Sequence, residues 1–192
     1  MKKHIITALL YTAITAVLLG VVYPLAVTGL AHVFFPRQAE GSLISRNGTL
    51  VGSHLIGQSF SGPGYFWSRP SAAGAGYDAG NSGGSNYAPT SAALAARVTA
   101  TVQTLNPKGT NAAVPIDLAT ASASGLDPDI SPAAAFYQVA RVAAERHVSE
   151  DAVRNLVAAH ITQRQFGLLG EPRVNVLDLN LDLDKKAPVA SK

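Results

Sequence analysis

Hydrophobic and polar positions divide this chain into two regimes. From Ile5 to Pro36 no Lys, Arg, Asp or Glu interrupts 32 positions, and Lys2 and Lys3 stand just ahead. A hydrocarbon core about 30 Å thick needs roughly 20 apolar residues in a helix, and Ile5 to Ala26 supplies them. Behind this run the pattern becomes mixed. Ser91 to Leu105 begins with a cap residue and continues at helical spacing until Asn106-Pro107 stops it. Ser131-Pro132 is a cap followed by proline at the first helical position, predicting a helix to about His147 with Ala135, Val139, Val142, Ala143 and Arg146 on one face. Ser149-Glu150-Asp151 opens another, with Val153, Leu156, Val157, His160 and Ile161 as its stripe and Gly167 as its end.

Three segments read as extended. Leu50 to Phe60 suggests one or two strands, and Val114 to Leu118 a short strand at an edge, because Pro115 has no donor. In Val174 to Asp184, Leu177, Leu179, Leu181 and Leu183 alternate with Asp178, Asn180, Asp182 and Asp184, the period of a half-buried strand. The acidic row is a solvated strand face rather than a calcium site, since same-face residues on a strand stand about 7 Å apart, too far for neighbouring ligands of one ion.

The expected fold class is α+β: one N-terminal transmembrane helix followed by a single mixed α/β extracytoplasmic domain. The boundaries are an anchor at 1–36, a turn-rich stalk at 37–48, the domain at 49–184 and a disordered tail at 185–192. A cleaved leader has a shorter apolar stretch, about 7 to 15 residues, and a small-x-small cut site; Gly29-Leu30-Ala31 fits that poorly. Pro24 predicts a kink or an end near the far interface, where Tyr23, Phe34 and Phe35 suit an aromatic belt and His32 sits at the interface. Lys2 and Lys3 against Arg37 and Arg46 place the amino terminus in the cytoplasm and the domain outside it.

Composition narrows the partners. Without Lys2 and Lys3, thirteen basic and twelve acidic residues leave a net charge of +1, which is no footprint for nucleic acid or for anionic lipid. There is no cysteine, so no disulfide holds the fold. Ser61 to Thr90 is dense in Gly, Ser, Asn and Pro, yet carries Tyr65, Phe66, Trp67, Tyr77 and Tyr87. Five aromatic residues predict an ordered, irregular loop, packed on the domain or presented to a partner, with Arg69 stacked on an aromatic face. Asn47-Gly48-Thr49 matches the glycosylation sequon, a three-residue pattern that arises often by chance.

Catalytic chemistry finds little support. Gly80-Asn81-Ser82-Gly83-Gly84 fits the hydrolase elbow in letters but lacks the flanking strand and helix. No phosphate-binding loop with its lysine is present. His54, His147 and His160 show no metal-ligand spacing, and Asp127-Pro128-Asp129 reads as a turn with charge ahead of the Ser131 helix. An envelope hydrolase using Ser82 or Ser124, and a solute-binding domain in the Gly-rich region, are the competing functions.

Several segments together resemble one family. Leu55 to Phe60, Tyr65-Phe66-Trp67-Ser68-Arg69-Pro70-Ser71-Ala72, Ser82 to Asn86, Ser122 to Pro128 and Val174 to Asn180 are similar to the C subunit of the bacterial Kdp potassium-transporting ATPase, in the same order behind one span. The resemblance implies a non-catalytic subunit of an inner-membrane complex. Its partners are a channel-like A subunit that passes potassium, a P-type B subunit that hydrolyses ATP and a small F peptide. It also implies a role in assembly and in raising ATP affinity, with Gln138 as the nucleotide contact, no metal, and no other cofactor than ATP held through the partner. The chain departs from the family pattern at Tyr87-Ala88, Asp129 and Ala140; the last stands where proline is frequent and predicts a straighter helix around Gln138. With the domain outside the cytoplasm, a direct contact between Gln138 and ATP conflicts with topology.

Overall fold

The computed structural model describes residues 1–106 and 113–188. They fall into two compact units, one ending at Ser53 and one starting at His54.

In the first unit the apolar run is helical from end to end: α1 (Lys2–Val17), a π-helical turn (Leu18–Val22) and α2 (Tyr23–Phe34). Pro24 neither stops the helix nor leaves it regular. Its ring conflicts with the carbonyl four residues back, at Gly20, and a widened turn directly before it accommodates the missing donor. Lys2–Phe34 is long and apolar enough to cross a membrane, and none of its most apolar window is buried by other parts of the chain. Residues 37–48, expected as a stalk, carry most of the short helix α3 (Pro36–Ala39) and the strand β1 (Leu43–Arg46). β1 pairs antiparallel with β2 (Thr49–Ser53), from Leu43 opposite Ser53 to Arg46 opposite Thr49. Asn47 and Gly48 form the two-residue turn, with φ of 52° and 78°. Asn-Gly is the sequence that such hairpin turns favour, since both central residues must have positive φ.

The second unit is built around α6 (Pro132–Arg146), preceded in chain order by α4 (Ala92–Leu105), α5 (Ile116–Ala119) and β3 (Asp129–Ile130). Behind α6 come α7 (Glu150–Ala159), β4 (Ile161–Thr162), β5 (Arg173–Asn175) and α8 (Val176–Lys186). β5 is the centre of a three-stranded antiparallel sheet, with Ile130 and Ile161 both opposite Val174. Two of the three cap expectations hold: Ser131 Oγ accepts from the Ala134 amide at 3.1 Å and Ser149 Oγ from the Ala152 amide at 3.3 Å, whereas Ser91 stands at the start of α4 without a side-chain cap bond. α6 runs unbroken past Ala140, and its predicted face of Ala135, Val139, Val142, Ala143 and Arg146 is buried. Val153, Leu156 and Val157 of α7, Leu179 and Leu183 of α8, Ile130, Val174 and Phe66 complete the core.

Three predicted elements need correction. Val174 to Asp184 is not one strand: after Asn175 the chain turns into α8, capped by Asn175 Oδ1 on the Asp178 amide at 3.1 Å. The buried set is Val176, Leu177, Leu179, Asn180 and Leu183, a helical stripe that includes a polar residue and leaves out Leu181. Alternation of Leu and Asp hid it, because a buried asparagine reads as a solvent position. Lys185 and Lys186, expected in the tail, form the last turn, where cations favour a helix end; residues 189–192 lie outside the described residues. Val114 to Leu118 is likewise not a strand. Pro115 presets the backbone for α5, with Asp117 in its first turn and Leu118 and Ala119 buried. The helix from Ser149 stops at Ala159 instead of reaching Gly167, because Ile161 and Thr162 leave to pair with β5. α4 ends at Leu105 as expected, while Pro107 lies outside the described residues.

A clamped aromatic segment as the candidate functional site

The loop from Ser61 to Thr90 is ordered, and its aromatic residues up to Tyr77 pack within the second unit, while Tyr87 is 46% exposed. Its first part, Pro63 to Trp67, has no strand to pair with, so its backbone polar groups need partners from elsewhere. Side chains of α6 and α8 supply them. Gln138 Oε1 accepts from the Trp67 amide at 2.8 Å, and Gln138 Nε2 donates to the Trp67 carbonyl at 3.1 Å. Asn180 repeats this one residue earlier: its Oδ1 accepts from the Phe66 amide at 2.8 Å and its Nδ2 donates to the Phe66 carbonyl at 2.9 Å. Each amide side chain stands in for a β-strand neighbour.

Two arginines take the remaining carbonyls. Arg141 donates to those of Pro63 and Tyr65, and Arg146 Nε donates to that of Gly64 at 2.6 Å. Five consecutive carbonyls, Pro63 to Trp67, are therefore each held by a side chain of α6 or α8. The guanidiniums also lie over aromatic rings, Arg141 at 3.8 Å from the Trp67 centroid and Arg146 at 4.7 Å from that of Tyr65. Burial lowers the Arg141 pKa to about 10, so it still carries its charge at neutral pH. Arg146 is balanced by Asp184 at 2.9 Å. Arg69 does not stack on an aromatic face; it pairs with Asp127 at 2.9 Å, and the place over Trp67 belongs to Arg141. A carboxylate in hydrogen-bond reach outcompetes a ring face for a guanidinium.

The remaining segments that the sequence singled out converge on the same loop. Ser71 Oγ donates to the Gly125 carbonyl at 2.6 Å and accepts from the Tyr77 amide at 2.8 Å. The Tyr77 hydroxyl donates to the Arg69 carbonyl, and burial pushes its phenol above the ordinary range. Ser82 Oγ and the Gly83 amide both donate to the Ser124 carbonyl, at 3.0 and 2.9 Å. Gly125 has φ +68°, and a Cβ there would stand 2.6 Å from the Ala73 nitrogen and 2.7 Å from the Gly83 carbonyl oxygen. Only glycine permits that approach.

Gln138 is 2% exposed and uses both donors and both acceptors, with Ala134 O and Arg141 as its other partners. The Ser124 hydroxyl accepts from the Leu126 amide at 3.1 Å and meets Ser122 Oγ. His54 and His160 lie against Asp178 and Asp182 of α8, at 2.8 and 3.2 Å, not against either serine. Asp127 Oδ1 accepts from the Asp129 amide, forming the predicted turn, and Asp129 pairs with Arg173 at 2.9 Å. Nothing in the sequence pattern pointed to Asn180 or to Arg141 as holders of the loop. The usable signal was Asn175 three residues before Asp178, a cap that turns Asn180 inward.

The structure thus defines an α+β chain in which one helix long and apolar enough to cross a membrane precedes a domain organised around a clamped loop. The family model described as K+-transporting ATPase, c chain, matches residues 5–185. The potassium-transporting ATPase KdpC subunit of Koribacter versatilis is 58% identical over 189 residues, covering 98% of each chain. That of Acidobacterium capsulatum is 63% identical over 183 residues, covering 95% of this chain and 98% of the relative. The chain belongs to the KdpC family, the c chain of the K+-transporting ATPase. It is a membrane-associated potassium-transport subunit with one candidate membrane helix among the described residues.

Proposed function

We propose that the chain is an accessory subunit of a high-affinity, ATP-driven potassium uptake complex, anchored in the inner membrane with its domain on the outer side. Its partners are the channel-like A subunit, the P-type B subunit and the F peptide, and it stabilises their assembly. The family match over residues 5–185 carries this proposal.

In this proposal the chain raises the ATP affinity of the B subunit through the assembled complex, not through a nucleotide on Gln138. All four hydrogen-bonding positions of the Gln138 amide are occupied within the chain, so a nucleotide contact would require release of Trp67, Ala134 or Arg141. Coupling between subunits needs only that the domain bind two states of the complex unequally.

The test has two arms. The tagged full chain, expressed with the other subunits and purified in mild detergent, brings them with it; recovery of the chain alone overturns the proposal. Protease added to intact spheroplasts digests the domain, and its protection reverses the topology.

A further inference from the structure

Between β4 and β5 the chain forms a tight turn whose side chains have no cover. Phe166, Leu168 and Leu169 are 92%, 79% and 60% exposed. The Leu168 and Leu169 amides both donate to the Gln165 carbonyl, and Gln165 and Leu169 form a bridge. Phe166 and Gly167 both have positive φ, 54° and 74°. Asn, Asp or Gly is the usual residue at such a position, and a bulky aromatic there is strained. The turn therefore carries two features that disfavour the isolated chain, a strained aromatic residue and three large apolar groups in water.

The turn leads directly into charge. Gly170, which follows Leu169, lines an open cleft of about 470 Å³ together with Arg69, Asp117, Asp127, Asp129, Glu171 and Arg173. Arg69 pairs with Asp127, Arg173 with Asp129, and Glu171 with Arg164. Asp117 differs: its carboxylate accepts the Ser131 amide at 2.6 Å and has no cationic partner among the described residues. Ile116, beside it on the cleft wall, is 77% exposed.

We infer that the Phe166–Leu169 turn and the adjoining Asp117 cleft form one docking surface for another subunit of the complex, which offers an apolar socket with a Lys or Arg at its rim. This rests on the accessory-subunit reading above. Charge selects the occupant: Arg69, Arg173 and Arg164 pair three of the four carboxylates beside the apolar tip, and the fourth, Asp117, leaves a net negative charge that repels an anionic lipid surface and attracts a protein cation. The tip provides the buried apolar anchor on which such interfaces depend.

The chain has no cysteine, so Phe166→Cys gives a single thiol at the tip. Modification by N-ethylmaleimide is compared for the full chain alone in phospholipid vesicles and in the co-purified complex. The expected result is rapid labelling alone and at least tenfold slower labelling in the complex. Equal rates overturn the inference, and protection in vesicles without other subunits shows membrane burial instead. Phe166→Asn, which suits positive φ, is expected to keep the thermal midpoint of the chain and to lower recovery of the partners at least tenfold. Asp117→Asn keeps an acceptor for Ser131 and is expected to lower recovery and its salt sensitivity together. Undiminished recovery with both variants overturns the docking surface. Failure of the parent chain to bring any subunit with it instead removes the underlying reading.

Discussion

Asn180 of α8 and Phe66 of the aromatic loop, 114 positions apart in sequence, share two hydrogen bonds of 2.8 and 2.9 Å in which a side-chain amide replaces a strand. Both residues are buried, so neither Phe66 backbone group has water to fall back on. Asn180→Leu, close in size, is expected to lower stability by about 3 kcal/mol, the order seen when two buried polar groups lose their partners. Trp67 is the only tryptophan and lies next to Phe66, so thermal unfolding followed by its emission reads the midpoint and local release together.

Gln138→Ala removes the equivalent pair from Trp67 and an acceptor from Arg141. The expected loss is again about 3 kcal/mol, with a red shift of Trp67 emission and no change in nucleotide binding by the purified chain. Because Gln138 and Asn180 hold adjacent residues, the double variant should lose less than the sum of the two. Full additivity in a double-mutant cycle would show two independent contacts.

Gly125→Ala tests the meeting of the loop with residues 122–126. The new methyl group would press on the Ala73 nitrogen and the Gly83 carbonyl, on a residue whose φ is already +68°. Strain and clash together are expected to cost about 2 kcal/mol or more. Thermal unfolding of the variant checks this, and an unchanged midpoint would show that the two segments separate freely.

Asp182 gives the expected pH dependence. Its hydrogen bond from Lys186, at 2.9 Å in the ion pair, and then that from His160 hold its carboxyl below the usual carboxylate range. The folded pKa is thus lower than the unfolded one. The stabilisation is present above the unfolded carboxylate pKa and is lost as pH falls through the folded value. Asp182→Asn should therefore flatten the acid side of a plot of thermal midpoint against pH and leave its shape near neutrality. An unaltered acid limb would remove Asp182 from the linkage.

Local and short-range features were legible in the chain. The apolar run from Ile5 onward, the Ser131 and Ser149 caps and the face of α6 all follow from chemistry within a few residues, and the folded protein keeps them. The aromatic content of residues 61–90 also announced an ordered loop. The site residues were a different matter. Gln138 could be named only through resemblance, and its partners at Trp67 are 71 positions away.

Sequence by itself determined the apolar helix, the capped helices and the need of the aromatic loop for burial, because hydropathy and capping act between near neighbours. Tertiary structure decided between strand and helix for Val176 to Lys186, where only the Asn175 cap spoke for the helix, and it drew Ile161 into a strand. It also turned Asn180, Gln138, Arg141 and Arg146 toward the backbone of Pro63 to Trp67. The physical reason is that a buried polar side chain is stable only beside its partner, and that partner comes from a distant part of the chain. A Leu/Asp alternation is compatible with strand or helix until the packing of α8 selects which positions face inward.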